Sequence, residues 1–149
     1  MFREMLTFLA ADGWPVEPDT FDGLPCIRTR FVGTEAAWDC RVRPYDPFGQ
    51  IAFESILPVA FEPETRGAVT SLIMKVNWRL LTGAFQLDED SGDVVFRTML
   101  FLQDDVELSE PLCRGLSYSN VLTVERCLAQ FLAVAGGADE RKAFAELAL

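Results

Sequence analysis

Two Arg-x-Arg runs, Arg28-Thr29-Arg30 and Arg41-Val42-Arg43, hold the densest chemistry in this sequence. Guanidinium groups bind carboxylates and phosphates through a planar fork, so four of them on one surface could hold an acidic peptide or an anionic ligand. A solvated ladder of ion pairs is the competing reading. The register expected below sets Arg30, Asp39 and Glu54 in one cross-strand row, where each pair is worth about 0.2–1 kcal/mol.

The remaining reactive residue types mostly exclude chemistry. Histidine is absent. That removes Ser-His-Asp and Cys-His pairs, His-containing zinc sites and the usual proton shuttle near neutral pH. The four cysteines, Cys26, Cys40, Cys113 and Cys127, form no CxxC pair, so neither a zinc ribbon nor a thioredoxin motif is present. Cys113, beside Arg114 and near an expected helix start, is the thiol best placed for activation. Cys26 and Cys40 should project to opposite faces of a hairpin and stay unlinked. As a set, buried structural thiols are expected.

The segment LDEDSGDV invites a calcium reading. That loop needs Gly at its sixth position and Glu at its twelfth. Counted from Asp88, Gly92 is fifth and Met99 is twelfth, so the segment reads as a hairpin turn. Most other acids sit in turns or on polar faces, with no spacing that pairs a general acid with a base. No catalytic residue, metal or cofactor is expected, and the chain reads as a non-enzyme.

The chain has 149 residues, with 13 Lys and Arg against 23 Asp and Glu, a net charge of −10. Such a field repels nucleic acid and anionic membranes, so neither is expected as a partner. Half the residues are hydrophobic and about a quarter are charged, which suits one globular domain over 1–149. No run approaches the length of a membrane span and the first residues do not read as a signal peptide. A cytoplasmic protein with reduced thiols is expected.

Periodicity supplies the elements that would position these groups. Residues 2–11 suit a short amphipathic helix through Phe2, Met5, Leu6 and Leu9. Residues 14–24 hold Pro15, Pro18 and Gly23 and read as a loop. Strands over 25–32 and 37–44 alternate apolar and polar residues about a turn at 33–36, with Ile27 opposite Val42 and Phe31 opposite Trp38. All four arginines then face away from the apolar side. A third strand, 49–57, adds Ile51, Phe53 and Leu57, and Pro58 stops it. Residues 63–82 read as a helix begun by Pro63, striped by Val69, Leu72, Ile73, Val76, Leu80 and Leu81, and ended by Gly83. A hairpin flanks the turn 89–92 and brings Phe85 and Leu87 to Val94, Phe96, Leu100 and Leu102. The polar link Asp104-Asp105 leads to Ser109, an N-cap for a long helix over 110–135. Residues 138–148 suit a last short helix. The order α-βββ-α-ββ-α indicates an α+β fold with an antiparallel sheet of about five strands.

Some apolar residues exceed the needs of one core. Met74 and Trp78 lie beside the main stripe of the middle helix. Val95, Met99 and Phe101 lie on the second face of the last strand, where a one-sided sheet would be polar. A covering helix in the same chain or a dimer or client surface would account for them. Asn77, among apolar neighbours, would cap a strand or bond across a dimer.

The stretch FESILPVAFEPETRGAVTSLIMKVNWRLLTGAFQLDEDSGDVVFRTML, residues 53–100, resembles the YbjN-like family, described as bacterial sensory transduction regulators. A strand ending in Pro, a Pro-Glu helix start, Asn77 late in that helix, and G-x-F-x-x-D before a strand carry the resemblance. It extends over roughly 15–137, where LAVAGG also fits. The family is similar to the type III secretion chaperone fold. The resemblance implies a dimeric, non-enzymatic, chaperone-like or regulatory protein that binds other polypeptides. An alternative is a small anionic-ligand sensor using the Arg-rich sheet face.

Overall fold

A computed structural model describes residues 1–103 and 106–147. The chain is α+β. Helix α1 (Phe2–Ala11) is followed by strands β1 (Val16–Phe21), β2 (Leu24–Val32), β3 (Ala37–Tyr45) and β4 (Gln50–Ala60). Helix α2 (Pro63–Arg79) leads to β5 (Ala84–Leu87) and β6 (Asp93–Phe101), then α3 (Glu110–Ala135) and α4 (Glu140–Ala145). One antiparallel sheet runs β1-β2-β3-β4-β6-β5. The expected link Asp104-Asp105 lies outside the described residues.

The sheet has six strands because residues 14–24 are not all loop. Two consecutive left-handed residues, Asp22 (φ 52°) and Gly23 (φ 75°), make a tight hairpin turn that folds β1 back onto β2. Pro18 is tolerated because β1 is an edge strand, where a missing N–H leaves no inner ladder incomplete. Pro58 does not stop β4 either. The strand continues to Ala60 through a register shift against β6 between Ile56 and Ala60, and Pro58 occupies that irregular stretch. Helix α2 ends earlier than expected, at Arg79, with Leu80 already extended. Leu81, expected on the buried stripe, is fully exposed.

The β2–β3 register is as expected: Ile27 pairs with Val42 and Phe31 with Trp38. Ile27, Val42, Phe53, Phe85 and Phe96 therefore share the face that the helices cover. They form one contiguous core with Met5, Leu9, Leu72, Val76, Leu128 and Phe131. Gly33, in the β2–β3 turn, lies so close to Glu125 and Trp38 that any side chain there would collide with them. Glu125 of α3 accepts a hydrogen bond from the Thr34 amide at 2.6 Å and so ties this turn to the helix layer.

A buried polar network fastens α3 to the middle of the sheet. Asn120, wholly buried, donates to the carbonyls of Phe53 (2.9 Å) and Phe96 (3.1 Å). Its amide oxygen accepts from Ser55 (2.6 Å), whose hydroxyl accepts from the Trp38 indole (2.9 Å). Thr98 donates to the Leu116 carbonyl at 3.2 Å. Helices need no such groups to bury a hydrophobic face, but a fully satisfied network fixes which face and at what depth. Asn77 plays a related part at the sheet edge. It receives the Phe85 amide at 2.9 Å and donates to the Phe85 carbonyl at 3.0 Å, capping the strand as one of its expected roles required.

Replacing Asn120 removes buried hydrogen bonds to two carbonyls and to the Ser55 hydroxyl at once. Asn120→Ala should lower stability by about 3 kcal/mol, whereas Asn77→Ala, at a partly exposed edge, should cost about 1 kcal/mol. Urea denaturation of the two variants checks the order.

Candidate interaction surfaces

The second face of the sheet has no helix over it among the described residues. Alternation along each strand decides what stands there. Arg28 and Arg30 of β2, Arg41 and Arg43 of β3, Glu54 of β4 and Arg97 of β6 all point to this face. The cross-strand row is Glu17, Arg28, Arg41, Glu54, Arg97. It differs from the expected row of Arg30, Asp39 and Glu54. The β3–β4 connection contains a short 3-10 turn, Asp46–Phe48, and a left-handed Gly49, and this geometry sets Glu54 opposite Arg41.

Glu54 is fully buried although it sits on the uncovered face. Arg41 donates to Glu54 Oε2 through Nε at 2.8 Å, with its Nη2 at 2.7 Å. Arg43 Nη1 and Arg97 Nε donate to Oε1 at 3.0 and 2.8 Å. The Phe21 ring lies over the Arg41 guanidinium at 3.7 Å and over Arg43 at 4.5 Å, close enough for cation–π attraction. Arg43 also donates to the Tyr45 hydroxyl. Burial by itself would raise the Glu54 pKa. The Arg41 hydrogen bonds, then the charges of Arg41, Arg43 and Arg97, outweigh it and hold the carboxyl below its ordinary value.

Arg28 and Arg30 are more exposed and differently paired. Arg28 meets Glu17 at 2.6 Å and Asp19 at 3.3 Å, and Arg30 meets Asp39 at 2.7 Å. These pairs add little stability because water screens them. The four expected arginines are thus brought together on one face, and each has a carboxylate of its own chain. A groove of about 520 Å³ runs over Arg28, Arg30 and Arg41 beside Ile56. The five arginines of this face stand against five acids, Glu17, Asp19, Asp39, Glu54 and Asp93, which makes it close to neutral on a chain of net charge −10.

Apolar groups flank the charges. Phe101 is 71% exposed and Met99 41%, with Ile56 and Val95 half-buried. Phe101 lies in the row Tyr45, Gln50, Phe101. Met74 and Trp78 do not join them. They project from α2 on the helix side of the domain, 71% and 90% exposed, and edge a shallow apolar hollow with Phe144 of α4. The five residues expected to form one dimer or client surface belong to two separate surfaces. A covering helix, one of the two explanations offered for Val95, Met99 and Phe101, is not found among the described residues.

Both sheet edges are guarded. On β1, Pro18 offers no N–H and Glu17 and Asp19 are exposed. On β5, Asn77 already occupies the Phe85 amide and carbonyl. A partner strand would find few free backbone groups at either edge.

The cysteines are not activated. Cys113 is buried and its thiol is pushed up to about 11 by burial, with Glu4 and Glu110 adding to the shift. The same cause pushes Cys40 and Cys127 up to about 12. Cys26 opens toward the arginine face and Cys40 toward the core, and all four are free and buried. Among the described residues no cluster of candidate ligands could hold a metal ion, and no helix is long and apolar enough to cross a membrane.

Two residues of weight were not legible as sites. Glu54 looked like one more strand acid, and only its opposition to Arg41 and Arg97 reveals the clamp. Asn120 carried a signal, an amide side chain inside a largely apolar helical stripe.

Glu54→Gln should remove the charge that three guanidiniums share and cost about 3 kcal/mol or more. Because its folded pKa is depressed, Glu54 contributes stability that is fully present above the unfolded carboxyl value, about 4.3. That contribution is lost as pH falls through the folded value. The variant should therefore lose part of the wild type's decline in stability below about pH 4.3, measured by thermal melts across pH.

Among curated proteins, none matches this chain. A family model does match residues 3–110, the segment from α1 to the first residue of α3. This begins earlier than the resemblance read from the sequence and leaves most of α3, with LAVAGG, outside it. With the bulk of the sheet and α2 inside the match, the chain belongs to the YbjN family, described as "Putative bacterial sensory transduction regulator".

Proposed function

We propose that the chain is a non-enzymatic regulatory or chaperone-like protein that binds other polypeptides and works as a homodimer. The observation that carries this reading is the bare sheet face. A sheet needs both faces covered unless one is polar. This one keeps Phe101 and Met99 in water beside a cluster of arginines. The chemistry that fits is a polypeptide segment with apolar side chains to cover Val95, Met99 and Phe101 and acidic ones to meet Arg28, Arg30 and Arg97. The guarded edges favour contact across the face over strand addition. The family description, a sensory transduction regulator, is compatible with action through binding.

A small-anion sensor is the second reading, favoured by the groove over Arg28, Arg30 and Arg41. An anion entering it would displace Glu17 or Asp39 from their guanidiniums, which sets a weak affinity. The test runs both readings together. Tagged wild type and a Met99→Asp/Phe101→Asp variant are used for capture from lysate of the source organism, and melting is followed with inorganic phosphate. A partner held by the wild type and lost with the variant supports polypeptide binding at this face. Stabilisation by millimolar phosphate, removed in Arg28→Ala/Arg30→Ala, supports the sensor. A partner held equally by both proteins moves the site elsewhere.

A further inference from the structure

The four helices are not held to the domain by the same means. Asp12, at the C-terminal cap of α1, accepts from the Tyr118 hydroxyl of α3 at 2.7 Å. Asn77 ties α2 to β5, and Asn120 ties α3 to the sheet. Helix α4 packs on α2 and α3 without such a bond. Among the described residues, every hydrogen bond of 139–147 stays within that segment. What holds it is apolar or long-range. Ala143 and Leu147 are buried, and the half-buried Phe144 ring lies under the Arg79 guanidinium at 4.5 Å. Glu140 stands 3.8 Å from Lys75. Contact of this kind does not fix depth or register as a buried polar network does.

The segment is also built to leave. Six residues are too few to be helical alone. Gly136 and Gly137 join it to α3, and Gly137 is left-handed (φ 92°) with nothing within 4 Å of where its Cβ would be. The joint can therefore turn without displacing a neighbour. Its anchors Glu140, Ala143, Phe144 and Leu147 stand at i, i+3, i+4 and i+7, the spacing of a helix bound in a groove. The seat extends beyond its occupant, because the apolar hollow beside Phe144, edged by Met74 and Trp78, is open.

We propose that the groove between α2 and α3 is the seat for an amphipathic helix of a different polypeptide, and that α4 is the chain's own occupant, displaced when that helix arrives. The partner helix repeats the pattern of α4. An acid meets Lys75, a small residue and an aromatic ring follow three and four positions on, the ring lies under Arg79, and a leucine comes three positions later. Displacement removes Glu140 and frees Lys75 for the partner's acid. A tethered segment has the advantage of high effective concentration. A longer helix offsets that advantage, because it is helical before it binds and reaches the hollow that α4 leaves open. The seat is on the helix side of the domain, so it goes beyond the sheet-face reading and does not depend on it.

Two measurements on the full chain test the proposal. In native-state hydrogen exchange, the amides of Ala143, Glu146 and Leu147 should exchange roughly a hundredfold faster than those of α3 over 121–128, at a rate that denaturant hardly changes. Fluorescence anisotropy then follows a labelled synthetic peptide of about 16 residues, long enough to be helical alone, with Glu-x-x-Ala-Phe-x-x-Leu at its centre. Leu147→Asp puts a charge into the buried anchor of α4 and should bind this peptide about tenfold tighter than the wild type. Phe144→Ala should shift binding in the same direction and serves if Leu147→Asp does not fold. Arg79→Glu, added to either variant, should remove most of the gain. Amides of α4 that exchange only as slowly as those of α3 overturn the proposal, as does a peptide bound no better by the α4 variants than by the wild type. A gain that Arg79→Glu leaves intact puts the peptide on another surface and overturns it as well. Binding at the arginine face stands or falls by its own test.

Discussion

A carboxylate with no exposure on an uncovered sheet face can stay ionised only if its surroundings replace water completely. Glu54 meets that condition through Arg41 and Arg43 of β3 and Arg97 of β6, the two strands that flank β4. Each strand must be in register for the clamp to close, so one charge fixes how β3, β4 and β6 align on this face. Removing one partner of such a group is costly because the others are left buried without it. The clamp also spends only one negative charge on three positive ones. The other acids of the face offset that surplus, so the face is close to neutral on a strongly acidic chain.

The opposite face is governed by packing and by one amide. Apolar alternation along β2, β3, β4 and β6 sends Ile27, Val42, Phe53 and Phe96 inward, but apolar contact alone would let α3 slide. Asn120 removes that freedom, because its amide can satisfy the Phe53 and Phe96 carbonyls and Ser55 in only one position. The two faces are therefore specified by different physics, one by a charge cluster and one by a buried hydrogen-bond network set in a hydrophobic core. With the described helices all packed on the core face, the arginine face is the one left uncovered.

Local signals in the sequence were strong enough to read most of the elements. Alternation gave β2 and β3 with their pairing, and Ser109 and Gly136 bounded α3 correctly, although Ser109 holds its cap position without a side-chain hydrogen bond. Strand β1 was hidden because Pro15, Pro18 and Gly23 read as loop residues, while the chain in fact turns back on two left-handed residues, Asp22 and Gly23. The Glu54 clamp was hidden for a non-local reason. The β3–β4 register depends on the turn at Asp46–Phe48, and the place of β6 beside β4 depends on the whole topology. The apolar surplus was visible, but its division between α2 and the bare sheet face was not, since sequence spacing does not say on which side of the sheet a helix packs.

Native mass spectrometry of the chain, purified gently from its own cells at its natural level, tests the central claim most directly. The account predicts a species heavier than the dimer that contains a second kind of polypeptide, with Met99 protected from oxidation in the complex and reactive in the free chain. A chain that emerges alone at every stage of purification, with Met99 equally reactive throughout, would contradict it.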